Sequence, residues 1–189
     1  MTQQCKNAID LVLAESLIEL SAKKPIDKIT IKEITDKAGV IRPTFYNHFQ
    51  DKYELIEWII KTELLEPIKP LLNAGMIFEA IVLMLNNISA NSVFYKKALK
   101  LEGAVTFNQI AMKCVYEMFM NIINEKSTGK KSKYRWLTPE VISTYYAQSL
   151  CFITEGWIAQ GMDDIEPKEM AEAYMYLITR SMDDILSEL

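Results

Sequence analysis

Residues 29–55 read ITIKEITDKAGVIRPTFYNHFQDKYEL, and their punctuation decides the fold. Thr30 and Glu33 stand three apart before an apolar run. At that spacing a threonine hydroxyl and a glutamate carboxylate each satisfy a backbone N–H at a helix start. A short helix is therefore predicted over 31–38, stopped at Gly39, where a left-handed residue would end it. Val40 and Ile41 then re-enter the core. Pro43 suits the first turn of a third helix, because its missing N–H has no intrahelical partner there. That helix carries residues 44–49, and Asp51 with Glu54 repeats the cap spacing to open a fourth over 52–66. Upstream, Ile9, Val12, Leu13, Leu17, Ile18 and Leu20 recur on one helical face until Lys23, Lys24 and Pro25 end it. Two short helices around a glycine turn, with a longer helix on each side, make a helix-turn-helix, whose second short helix enters a major groove.

Spacing separates the two faces of that second helix. Phe45 and Phe49 are i and i+4, so both point into a small core with Ile34, Ala38 and Val40. Arg42, Pro43, Thr44, Tyr46, Asn47 and His48 are left on the outer surfaces, a cluster well supplied with donors for phosphate oxygens and base edges.

The string Ala-Gly-Val, then Thr-Phe-Tyr-x-His-Phe, then Lys-x-x-Leu resembles the DNA-binding domain of the TetR/AcrR family of transcriptional regulators, over about residues 5–60. The resemblance implies that Arg42 and Pro43 meet bases, with Thr44 on the same face. It implies phosphate contacts from Tyr46, His48, Lys52 and Thr30; Thr30 and Lys52 also sit at helix starts, where free N–H groups favour an anion. Asn47 lies where members vary and can bond an adenine edge, so it is expected to contribute specificity. Ile41 departs from the pattern, since many members carry Ser or Thr there as a cap.

Composition agrees with long helices. The chain has 189 residues, 50% of them hydrophobic, with only 6 Gly and 6 Pro to break it into the short strands of an all-β fold. Cys5, Cys114 and Cys151 form no CxxC pair, and with one His they support neither a disulfide framework nor a structural zinc site. A reducing cytoplasm is expected, since the N-terminal residues do not read as a signal peptide and no apolar run approaches the roughly 18 residues that span a bilayer. The net charge of −4 is uneven: residues 23–52 hold seven basic and four acidic groups, whereas residues 53–189 hold 13 and 18. A mildly basic head on an acidic body suggests two jobs in one chain.

The fold class expected is all-α, of about nine helices. Residues 1–50 would be the helix-turn-helix domain, the fourth helix a connector, and 51–189 a ligand-binding and dimerisation domain. Breaks are predicted at Pro67/Pro70, Gly75, Asn91-Ser92, Gly103, residues 127–136 and 161–167, leaving helices over 76–90, 93–102, 105–125, 139–160 and 168–189. Members of the family commonly dimerise through the last two long helices, and the apolar girth of 139–160 and the stripe on 168–189 are compatible with that. The loop Lys-Ser-Lys-Tyr-Arg-Trp at 131–136, followed by Glu-Gly-Trp-Ile-x-x-Gly-Met at 155–162, is similar to regulators related to the dihydroxyacetone kinase activator.

Effector sites in such regulators are apolar cavities between central helices. Phe78, Met84, Phe94, Phe107, Cys114, Met118 and Tyr145 are candidate lining residues, mixing adaptable thioethers with aromatics. A small apolar or weakly polar effector is expected, with no cofactor, metal or membrane. Cys114 and Cys151 read as inert core thiols, and Lys130, Lys131, Lys133 and Arg135 as a solvated basic loop. No catalytic constellation is present: the sole His lies in the head, without a GxSxG motif or metal-ligand cluster. The function expected is a ligand-responsive, dimeric regulator of double-stranded operator DNA, a repressor released by a small molecule. The alternative is a ligand- or partner-binding coactivator like relatives of the kinase activator.

Overall fold

A computed structural model of the chain describes residues 3–103, 105–126 and 132–188. Lys130 and Lys131 and the side chain of Cys5 lie outside the described residues. Helix α1 (Gln3–Ser21) leads through a single 3-10 turn (Ile26–Lys28) to α2 (Ile31–Ala38), α3 (Arg42–Tyr46) and α4 (Lys52–Ile59). A π-helical turn (Ile60–Leu65) joins α4 to α5 (Glu66–Asn73). There follow α6 (Ile77–Ala90), α7 (Ser92–Ala98), α8 (Phe107–Lys126), α9 (Pro139–Ala159), α10 (Pro167–Thr179) and α11 (Met182–Glu188). No strand occurs among the described residues, as the all-α expectation requires.

The local signals act as their chemistry dictates. Thr30 Oγ1 accepts the N–H of Glu33 at 3.3 Å while Glu33 Oε2 accepts the N–H of Thr30 at 2.9 Å, so α2 starts on a reciprocal cap. Gly39 ends it at φ 70°, and the N–H of Val40 reaches back to Thr35 O at 3.0 Å. Asp51 Oδ1 accepts the N–H groups of Tyr53 and Glu54 and opens α4. Leu13, Leu17, Ile26, Ile34, Phe45, Leu55 and Ile56 are fully buried and form the core of the head. The Lys52 ammonium closes the 3-10 turn from outside, donating to the carbonyls of Asp27 (2.7 Å), Ile26 (3.0 Å) and Ile29 (3.2 Å).

Three expectations are corrected. The helix opened by Asp51 does not stop at Pro67; it continues as one rod to Asn73. Proline 67 cannot donate to the carbonyl four residues back, and that acceptor, Glu63 O, takes a hydrogen bond from Asn87 Nδ2 of α6 at 2.9 Å instead. Second, the helix expected over 168–189 is two. Arg180 is extended (φ −108°, ψ 151°), and Ser181 with Asp184 forms a cap in which Ser181 Oγ accepts the N–H of Asp184 and Asp184 Oδ2 accepts the N–H of Ser181. Third, α3 closes at Tyr46 rather than running on to Phe49, with Asn47 and His48 in a turn. Counting the rod once, the described residues form ten helices where about nine were expected.

In the body α8 packs along α9, α6 sits between α5 and α10, and the π turn touches both α6 and α8. Trp157 Nε1 donates to Ile165 O at 2.9 Å and pins the α9–α10 loop.

Asn87→Ala should destabilise the protein by about 1–3 kcal/mol, the cost of stranding the Glu63 carbonyl, as read by urea unfolding. Lys52→Met should cost a similar amount, because three carbonyls lose one charged donor. Unchanged midpoints would show that water serves these acceptors equally well.

Candidate functional site

The second short helix of the head presents a defined polar face. Phe45 is fully buried and Phe49 nearly so, their rings 5.8 Å apart, and this fixes how α3 is rotated. Arg42, Pro43, Tyr46 and Asn47 are exposed and Thr44 half-buried. Tyr46 leans edge-on against Phe45 with ring centroids 5.6 Å apart, and Arg42 Nη2 donates to its hydroxyl at 3.4 Å across one helical turn. Ile41, expected to re-enter the core, is instead exposed at the N-cap, where its apolar side chain makes no cap, so the first N–H groups of α3 are not satisfied from that position. Thr30 is exposed, but its hydroxyl is engaged with Glu33, whose carboxyl is held at about 2 by hydrogen bonds from Lys24 and Thr30.

Two of the side chains expected at phosphates are placed elsewhere. His48 is not on an outer surface: its imidazole is 1% exposed, and Nδ1 donates to Asp10 Oδ1 of α1 at 2.6 Å. The early end of α3 explains this, because the turn at Asn47 and His48 swings the ring back toward α1. An acidic residue inside the apolar face of α1, together with the only His in the chain, was the sequence signal for this pair. Lys52 spends its donors on the three carbonyls of the 3-10 turn, and burial lowers its basicity. His48 thus ties the turn after α3 to α1, and Lys52 ties the 3-10 turn to the start of α4.

The body contains a small cavity of about 40 Å³ whose wall includes Leu64, Met84, Phe107, Leu150 and Ile158. Of the seven candidate lining residues, Met84 and Phe107 reach it. Phe94 and Cys114 are core, and Phe78 packs half-buried against the core. Met118 lines a separate recess between α5 and α8. Tyr145 is 62% exposed, because it lies on the outward side of α9. Helical spacing identified apolar positions there without telling cavity from core. The missed lining residues include apolar ones such as Leu64 and Leu150 and three polar ones, Tyr95, Thr154 and Glu155; the hydroxyls of Tyr95 and Thr154 are buried with no hydrogen-bond partner. A Thr-Glu pair inside the apolar last turns of α9, between Phe152-Ile153 and Trp157-Ile158, was the available signal. Burial pushes the Cys114 and Cys151 thiols up to about 12, which leaves both protonated and unreactive at neutral pH.

An ion network ties the rod to the body. Glu57 of α4 pairs with Lys61 at 2.7 Å and with Lys113 of α8 at 2.8 Å, and Lys61 also reaches Glu117 of α8 at 2.7 Å. Burial pushes the Glu57 carboxyl up, but hydrogen bonds from Lys113 and Lys61 outweigh it and hold the group below its ordinary value. Glu63, farther along the rod, has no such partner and is raised, by burial first and by Glu15 second.

Comparison with known proteins accords with this geometry. Residues 15–59 match the description "Bacterial regulatory proteins, tetR family", and residues 76–180 match "Transcriptional regulator C-terminal region". The HTH-type dhaKLM operon transcriptional activator DhaS of Lactococcus lactis is 26% identical over 152 residues, 79% of each chain. Among solved structures, the dihydroxyacetone kinase operon activator DhaS superposes with a TM-score of 0.63 at 21% identity, covering 90% of this chain and 93% of that one. NalD, the secondary repressor of the MexAB-OprM multidrug efflux pump in Pseudomonas aeruginosa, gives 0.59 at 12% identity, over 92% and 96%. These two structural likenesses speak for the fold. The C-terminal match alone covers more than half of the 189 residues, and the chain belongs to the TetR family of transcriptional regulators.

Proposed function

We propose that the protein is a homodimeric, effector-responsive repressor that reads its operator with α3. Residues 1–50 act as the reading head and residues 51–189 as the effector-binding and dimerisation body, with the rod that opens at Lys52 as the connector, in a cytoplasmic protein. The observation that carries this reading is the exposed face of Arg42, Tyr46 and Asn47 on a helix whose opposite side is anchored by Phe45. Arg42 has the fork geometry to take a guanine edge and Asn47 the amide to take an adenine edge; Pro43 and Thr44 complete the base-facing surface and Tyr46 takes a phosphate. Thr30 adds a phosphate contact only where its hydroxyl turns from Glu33. His48, tied to α1, and Lys52, tied to the 3-10 turn, support the head that carries this set.

The proposed dimer interface is the outward side of α9 with α10. Tyr145 and Phe152 fall seven residues apart on α9 and are 62% and 76% exposed, and Leu177 of α10 is 48% exposed. A stripe of large apolar side chains in water is the usual mark of a surface covered by a partner. A two-fold pair of heads then meets half-sites about one helical turn apart. A second reading, activation in place of repression, is favoured by the likeness to DhaS, which is named as a transcriptional activator.

The test begins with genomic DNA fragments retained by the purified protein, titrated at two salt concentrations. Affinity should fall steeply with salt, each neutralised phosphate adding about 0.9 to the log–log slope. Arg42→Ala and Asn47→Ala should each cost about 1–3 kcal/mol on the retained sequence and little on scrambled DNA. Binding indifferent to sequence and to both changes would contradict the assignment of the reading face. Phe152→Glu should convert the dimer to monomer in sedimentation, and a persistent dimer would move the interface elsewhere. Deleting the protein should raise transcription from the retained promoter; a fall would establish the activator.

A further inference from the structure

We propose that the body cavity takes a small uncharged organic molecule with an apolar body of about four carbons and one oxygen, hydroxyl or carbonyl, which accepts hydrogen bonds from Tyr95 and Thr154. This rests on the reading of the body as an effector domain and names the chemistry of the effector.

Three observations meet at the cavity. Its wall is apolar over most of its extent, with Leu64, Met84 and Phe107 among the contributors. Tyr95 on α7 and Thr154 on α9 belong to this wall, and the hydroxyl of each is buried without a hydrogen-bond partner. Tyr95 itself has no exposed surface. A buried hydroxyl left unpaired costs about 1–3 kcal/mol, and two around one small cavity are a standing demand for an acceptor. The volume of about 40 Å³ exceeds the roughly 10–15 Å³ that one water needs and suits a ligand of a few heavy atoms. A lone water would find at most these few polar partners and leave the apolar wall wet. A carbonyl or alcohol oxygen has two lone pairs and can serve both hydroxyls while its carbon chain fills the rest.

Charge selects for neutrality. No Lys, Arg or His is among the residues that line the cavity, so an anion would lose its hydration there without a compensating charge. Glu155 is drawn outward by Asn108, and burial favours its neutral form, so it offers a cation little compensation for desolvation. The contrast is Glu57 on the outer side of the rod, which is held by two lysines.

The position gives the ligand a lever. Ile60, Leu64 and Leu65, all in the π turn, form part of the wall. The same rod continues into the head through Leu55 and Ile56. A molecule seated here touches an element that also runs into the head.

The test titrates the methyl-labelled full-length protein by NMR with 2-butanol and butanone, against 2-methylbutane, in which a methyl replaces the hydroxyl, and against butyrate and butylamine. Both oxygenated compounds should bind at least tenfold more tightly than 2-methylbutane, butylamine and butyrate. The double variant Tyr95→Phe, Thr154→Val, which keeps shape and removes both hydroxyls, should erase the preference over 2-methylbutane. Equal or tighter binding of 2-methylbutane, tighter binding of butylamine, unaltered preference in the double variant, or binding of none of the five would each overturn the proposal. Operator binding measured on the ligand-free protein separates the outcomes. Its absence in the parent protein would defeat the regulator reading whatever the cavity binds, and its presence with an inert cavity would defeat this inference alone.

Discussion

The burial of Phe45 is the constraint on which the reading face depends. Helix α3 has five residues, far too few to be stable by its own hydrogen bonds. Its existence and its rotation come from packing: Phe45 has no exposed surface, and Phe49 lies between it and Trp58 of α4. With that side chain fixed, the 100° step of a helix decides what faces out, and Arg42 and Tyr46, four apart, fall together. The other supports in the head are polar. Asp10 holds His48 to α1 and so clamps the end of the short helix, while Lys52 holds the 3-10 turn to α4.

A second constraint joins head to body. The rod from Lys52 to Asn73 contributes Leu55 and Ile56 to the head core and Leu64 and Leu65 to the cavity wall. Its π turn widens the backbone where the helices of the body press on it, and Asn87 repairs the carbonyl that Pro67 leaves unpaired. Glu57 and Lys61 then fasten the rod to α8. A ligand can change DNA affinity only by the difference in its own affinity for two arrangements of the heads, and a continuous rod is the element on which such a difference can act.

The head was largely legible because its signals are local. Thr30 with Glu33, Gly39, Pro43 and Asp51 with Glu54 each act within one helical turn, and the structure follows all of them. What escaped was tertiary. Whether His48 pointed out or in depended on where α3 ended, and that end is set by packing of Phe49 and by a carboxylate 38 residues away. Whether Pro67 broke the helix depended on an amide from α6. The cavity escaped for a related reason: apolar spacing marks a side chain as buried without saying whether it meets another side chain or a void. Tyr145 showed the opposite failure, reading as interior because α9 is apolar on more than one side, while in the single chain one of those sides faces water. Ser181 and Asp184 were a local cap hidden inside a run that otherwise read as continuous helix.

The central claim is that two copies of α3, related by a two-fold axis, lie in successive major grooves on one side of a duplex. Hydroxyl-radical footprinting on a DNA fragment retained by the protein measures this most directly. Two protected patches on one face, their centres about one helical turn apart, is the result the account predicts. A single patch, or protection spread evenly along the fragment, would contradict it.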